Sequence, residues 1–344
     1  MSSDEPDSTD YVLKVLERAA SSEVFEIGKC FACGGKADDG VGEHVIPRWV
    51  QRRFDLSSKL LTLINGTRIP YRQLTVPCCL SCNNGFLREI ENGVVRFLTA
   101  DVPPDAFVRF TIGRWLAKIY LGILLKETSL PHNRSDPNGG MILRSDFLEE
   151  FRHAQFILQS GRKRTTFRSL HGLHPFTLYL YQIEEDPSFE RFDLTTNLFG
   201  QSIAIRIGPV GMVFVNDGGL QHEAGIKGPL DLEWQKLHPI QFSEVAARVH
   251  YKATLRDATH SYVSSETPKE LLVEQVSVRS FSGSLLPNGD LRIFRNWDDV
   301  ECAHMIDRYR QVDWGPVYDS NTGLFSTTLC DENGDLPNPK RFVR

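Results

Sequence analysis

The chain has no clean apolar run long enough to cross a bilayer. Its longest apolar stretch, Ala106 to Lys126, is broken by Arg109, Arg114, Lys118 and Lys126, so it reads as a core helix rather than a membrane span. Met1 to Asp10 is polar and acidic with no apolar centre, so the expectation is a frayed tail rather than a secretory leader. There is no disulfide framework. Seven cysteines is an odd count, and thiols of this kind point to a reducing, cytoplasmic compartment. Positive charge is not in excess either: the net charge is −5 and the pI about 6.1. The surface as a whole is therefore no magnet for nucleic acid, and any such contact has to be local. No internal repeat or low-complexity tract is visible.

What is present is an ordinary globular composition over 344 residues, 41% apolar and 24% charged, enough to build two domains with a sizeable core. The organising stretch runs from Cys30 to Glu91. It reads Cys30-Phe31-Ala32-Cys33, then Glu43-His44-Val45-Ile46-Pro47, then Cys79-Leu80-Ser81-Cys82-Asn83-Asn84-Gly85. Two thiolate pairs at two-residue spacing supply the four soft ligands of a tetrahedral structural zinc. Cys78 lies beside the second pair, but only Cys79 has the two-residue spacing from Cys82, so Cys79 is the expected ligand. Gly34-Gly35 eases the turn after the first pair. Phe86, Leu87, Ile90, Val94, Phe97 and Leu98 follow the second pair at helical spacing, which predicts a helix whose start is pinned by the metal.

With the cysteines assigned to zinc, Glu43, His44 and Asn83 are left close to the cluster. A carboxylate and an amide oxygen are hard ligands suited to Mg²⁺ or a similar ion. His44, neutral near physiological pH, can take a proton from a water aligned on a phosphodiester. The bland alternatives are a packed histidine, a helix-capping Asn83 and a solvated Glu91, or a Glu91 paired with Arg88 or Arg96.

In the order Cys-x-x-Cys, Glu-His-x-x-Pro, Cys-x-x-Cys-Asn, these residues resemble the HNH (ββα-metal) endonucleases, in particular a zinc-stapled bacterial subgroup with Cys-Asn-Asn-Gly, an aromatic residue and a later Glu. Here those are Cys82 to Gly85, Phe86 and Glu91. The resemblance covers roughly 28–98. It implies an N-terminal zinc-bound, treble-clef-like ββα-metal module, with Cys30, Cys33, Cys79 and Cys82 on the structural zinc. Glu43 and Asn83 would hold a catalytic Mg²⁺ or Mn²⁺, and His44 would be general base. The implied activity is hydrolysis of DNA, RNA not excluded, to a 5′-phosphate and a 3′-hydroxyl. The family's central Asn, which fixes the loop bearing the base, has no direct counterpart; Gln73 and Asn65 are the nearby candidates. Arg48, Arg52 and Arg53, on a short helix with Trp49 and Phe54, are the expected phosphate contacts.

The expected organisation is a tail and lead-in helix over 1–27, the nuclease module over 28–100 and an α+β accessory domain over 101–344, starting at the hinge Asp101-Val102-Pro103-Pro104-Asp105. In that domain helices come first, then a mainly antiparallel sheet, with Phe176 to Ile183, Gln201 to Ile207 and Gly211 to Val215 reading as strands of a meander. Pro287 to Asp290 reads as a hairpin turn. The histidines of this domain read as structural. Gly161 to Arg164 with Arg168 reads as a basic cluster that extends a DNA track or forms a solvated loop. Target recognition, a partner protein, homo-oligomerisation or binding of a gating signal are the roles open to it. By analogy, a nuclease with such an appendage suits defence against foreign DNA. The competing class is a non-catalytic zinc scaffold that binds nucleic acid or protein.

Overall fold

The computed structural model describes residues 28–100, 102–133, 135–162, 164–168, 174–218, 220, 235–266, 270–280, 294–339 and 342. The lead-in helix, Asp101, Lys163, His171, His222 and the Pro287–Asp290 turn lie outside them. The chain forms two compact units, Met1–Thr166 with Ser264–Val273, and Phe167–Val263 with Glu274–Arg344. The secondary structure is mixed α+β. No described helix is long and apolar enough to cross a membrane.

The first unit is built on an antiparallel pair, β1 (Gly42–His44) and β4 (Thr75–Pro77), with Glu43 opposite Val76 and His44 opposite Thr75. Between them lie the short helix α1 (Arg48–Arg53) and a hairpin of β2 (Leu60–Thr62) and β3 (Arg68–Pro70). Gly66 closes that hairpin with a φ of 81°, a conformation that glycine adopts without a Cβ penalty. After β4 come a helical turn, Leu80–Cys82, a wide turn, Asn83–Leu87, and then α2 (Arg88–Thr99). The helix expected from the apolar spacing is there, kinked at Gly85 (φ −92°, ψ −118°). Ile90, Val94 and Phe97 are its buried face.

The compact unit does not end at Pro103-Pro104. It runs on to Thr166, because the long helix α3 (Ala106–Thr128) packs against α2 and β4. Asp105 caps α3 by accepting from the Val108 N–H at 2.8 Å. Positions 115, 118, 122 and 126 fall on one stripe of a 3.6-residue helix, and this stripe meets the strand pair and its loop. Trp115 stacks on Trp49 with centroids 6.3 Å apart, and Lys126 donates to the Thr75 carbonyl at 3.4 Å. The helix comes close to the loop at Gly122, where a Cβ would lie 2.6 Å from a Val45 methyl. A second hairpin, β5 (Pro131–Asn133) with β6 (Asp136–Met141), and the helix α4 (Arg152–Gln159) complete the unit.

The second unit holds a five-stranded sheet of β7 (Thr177–Ile183), β8 (Phe192–Asn197), β9 (Ser202–Ile207), β10 (Val210–Val215) and β11 (Lys236–Leu237). Its spatial order is β11-β7-β10-β9-β8, antiparallel except for the β11–β7 pair. The expected strands are present, but the order is a Greek key rather than a sequential meander. Every residue of β7 except Gln182 is buried, and so apolar a strand is placed inside the sheet, not at its edge. The helices α5 (Pro239–Thr254) and α6 (Asp299–Tyr309) follow in the chain. Two histidines here are structural. His238 caps α5, and His250, its pKa pushed down to about 3 by burial, bonds Ser202 at 2.7 Å and Thr195 at 3.1 Å.

Candidate metal centre and the adjoining ion triad

The two knuckles meet as the cysteine spacing requires. The thiols of Cys30, Cys33, Cys79 and Cys82 all lie within 4.8 Å of one another. Sulfurs at ~2.3 Å from a tetrahedral zinc are ~3.8 Å apart, close to the 3.9 Å between Cys33 and Cys79. The donor set is all sulfur and largely buried, which suits a structural zinc. Cys78 stands outside the four, with its thiol 3.8 Å from that of Cys30. The thiols share charge among themselves: Cys30 is drawn below the ordinary thiol range by its thiol neighbours, while Cys33, Cys78 and Cys82 are pushed up by their contacts with Cys30 and by burial.

Helix α4 and the turn after it hold this cluster from outside. Gln155 donates to the Phe31 carbonyl at 3.2 Å and Gln159 donates to the Ala32 carbonyl. Arg162 places a guanidinium N–H 2.8 Å from the Cys82 sulfur and lies over the Phe86 ring at 4.3 Å. A cation here offsets the excess negative charge of four thiolates on one divalent ion. Of the basic cluster expected at 161–168, Arg162 turns to the thiols, while Arg164 and Arg168 lie on a strand, Arg164–Arg168, rather than a loop and stay exposed, with Glu270 at 3.3 Å and Glu274 at 3.5 Å beside them.

Beside the cluster, β1 delivers Glu43 and His44 to opposite sides of its backbone. Glu43 is 6% exposed and forms an ion pair with Lys118, which is fully buried. The same ammonium pairs with Glu91 at 2.5 Å and donates to the His44 carbonyl at 3.4 Å. Burial raises Glu43 above the usual carboxylate range. Burial also opposes the charge on Lys118, but the two carboxylates outweigh it and hold the ammonium above its ordinary pKa. Glu91 is thus neither a solvated residue nor a partner of Arg88 or Arg96.

His44 is half-buried, and its pKa is lowered by burial first, then by Arg48 and Lys118. Gln51, on α1, donates to the Ile46 carbonyl at 2.7 Å, and its amide nitrogen sits 3.4 Å from His44 Nδ1. With an amide N–H facing it, Nδ1 is the acceptor nitrogen of the neutral ring, its lone pair turned toward Gln51. Gln51 thus ties the loop that follows the histidine to α1. The two sequence candidates for the resembled family's central Asn lie elsewhere. Asn65 shapes the hairpin turn through Thr67 and the His132 carbonyl, and Gln73 is exposed on a single 3₁₀ turn. Arg48, Arg52 and Arg53 are exposed, and Asn83 is half-buried where the helical turn meets the wide turn.

The residues do not fit a hard divalent ion on Glu43. Its carboxylate is already matched by an ammonium shared with Glu91. With the ammonium in place, a dication would meet its repulsion along with the attraction of carboxylates that are already shared with one cation. Among the described residues, the four cysteines are the one group of three or more histidine, cysteine and acidic side chains close enough to share an ion. Lys118 and Gln51 are the two site residues that sequence reasoning passed over. The signal for Lys118 was a charged residue in an otherwise apolar helix. For Gln51 it was a polar residue beside Val50 on the buried side of α1.

No family model matches the chain, and neither does any curated protein or solved structure compared with it.

Proposed function

We propose that the zinc-clamped unit is a nuclease that hydrolyses phosphodiester bonds, with DNA as its substrate and His44 as general base. One observation carries this reading. His44 stands at the end of a strand tied to the thiol cluster, neutral and partly open to solvent. The neutral imidazole of His44 takes a proton from water as the water oxygen attacks phosphorus and the bond to the departing sugar oxygen breaks; that oxygen is protonated from solvent. Arg48, whose charge is felt at the ring, supplies the nearest exposed cation for the phosphate, with Arg52 and Arg53 on the same short helix.

The pairing of Glu43 with Lys118 also favours a second reading, a non-catalytic nucleic-acid-binding module in which zinc and the ion triad only build the surface. Nicking of supercoiled plasmid by the purified chain separates the two. A nuclease relaxes the plasmid and its His44→Ala variant of equal zinc content does not; a binder shifts the plasmid's mobility and leaves it intact.

A further inference from the structure

The resembled family implies a divalent ion on the acidic residue beside the base, and this chain puts another cation there. We infer that the Lys118 ammonium is a built-in substitute for that ion, so that the Glu43–Glu91 carboxylate pair binds no divalent cation and the chemistry at His44 proceeds without one at this place. The inference deepens the nuclease reading of the same site.

Three observations support it. Lys118 is fully buried, yet it enters from an apolar helix whose neighbouring turns pack tightly, with Trp115 on Trp49 and Gly122 against Val45. Its backbone is therefore fixed relative to the loop of His44, and its side chain has little freedom to swing aside. It contacts three groups that a metal would organise: the carboxylates of Glu43 and Glu91, and the His44 carbonyl. It thus links the base-bearing strand to α2, the helix that carries Glu91. Finally, one positive charge set against two carboxylates leaves the triad net negative. A divalent ion could use that residual charge only by displacing the ammonium, and a displaced ammonium would be buried with no counter-ion. Lys118 is on this view a positioning residue. It touches no substrate, and it holds Glu43 and the strand bearing His44 where they are.

The test reads metal, not cleavage. Manganese(II) is titrated into the zinc-loaded full chain and free Mn²⁺ is followed by its electron paramagnetic resonance signal. The parent and Glu43→Gln are expected to leave the signal equally undiminished. Lys118→Met, which vacates the position and leaves both carboxylates, is expected to take up one ion per chain, and the double variant Lys118→Met/Glu43→Gln to lose it again. A single ion bound by the parent and lost in Glu43→Gln overturns the inference, as does a folded Lys118→Met protein that gains no ion. If Lys118→Met does not fold, the parent and Glu43→Gln pair decides alone. Plasmid nicking by the parent after exhaustive chelation of Mg²⁺ and Mn²⁺, with zinc retained, supports both readings. Failure to nick under any condition counts against the nuclease and leaves the metal result standing.

Discussion

Replacing Lys118 by methionine isolates the energetics of the ion triad. The substitution keeps the length and apolar stem of the side chain and removes the charge. What it leaves is two carboxylates facing the space that held the ammonium, with side-chain exposures of 8% for Glu43 and 20% for Glu91. Removing one partner of a buried pair costs about 3–5 kcal/mol. Glu91 is exposed enough to turn toward water, so the lower end, about 3 kcal/mol, is expected at pH 7. The assay is the urea dependence of zinc release, read with a chromogenic chelator, since the thiol cluster belongs to the same compact unit. A pH arm fixes the sign. Glu43 is already raised by burial against the attraction of Lys118, and without that attraction it rises further. A carboxyl whose folded pKa lies above its unfolded value binds more protons when folded, so the variant regains stability as pH falls from 7 into the window between the two values. The triple variant Glu43→Gln/Glu91→Gln/Lys118→Met has no uncompensated charge and should return to within about 1 kcal/mol of the parent. A Lys118→Met protein within about 0.5 kcal/mol of the parent at pH 7 would refute the reasoning, because it would mean that the three groups are not ionised and desolvated together.

Two further outcomes follow from the metal cluster and the histidine. Cys79→Ser is expected to lose zinc on gel filtration in the presence of a mild chelator, and Cys78→Ser to keep one zinc per chain by atomic emission, since Cys79 lies within the four-thiol set and Cys78 outside it; the reverse pattern would reassign the ligand. In the pH–rate profile of nicking, the acid limb should lie below the ordinary imidazole value near ~6.5, because burial, Arg48 and Lys118 all depress His44. Arg48→Gln should move that limb upward, and an unmoved limb would assign it to another group.

The parts of this chain that were legible in the sequence are those with strong local patterns. Cysteine spacing named the four clustered thiols, and separated Cys79 from Cys78, because two-residue spacing is a local geometric demand. Apolar periodicity placed α2 and α3, and β-branched runs placed the strands of the second unit. What escaped was long-range. Lys118 read as an interruption in an apolar helix, since nothing in its neighbourhood of the chain says that Glu43 and Glu91 converge on it. For the same reason Pro103-Pro104 looked like a domain hinge, although α3 returns to pack on α2 and β4. Gln51 was missed because its partner, the Ile46 carbonyl, is a backbone group with no sequence signature. The strand order of the second unit likewise depends on which strand is most buried, a property of the assembled sheet.

The most direct measurement is single-turnover cleavage of a 5′-labelled DNA duplex by the zinc-loaded parent and its His44→Ala variant. Loss of a general base predicts a rate lower by ~10²–10⁴-fold, with the variant's zinc content and urea midpoint unchanged. Equal cleavage by both proteins, or none by either, would contradict the assignment of phosphodiester hydrolysis to His44.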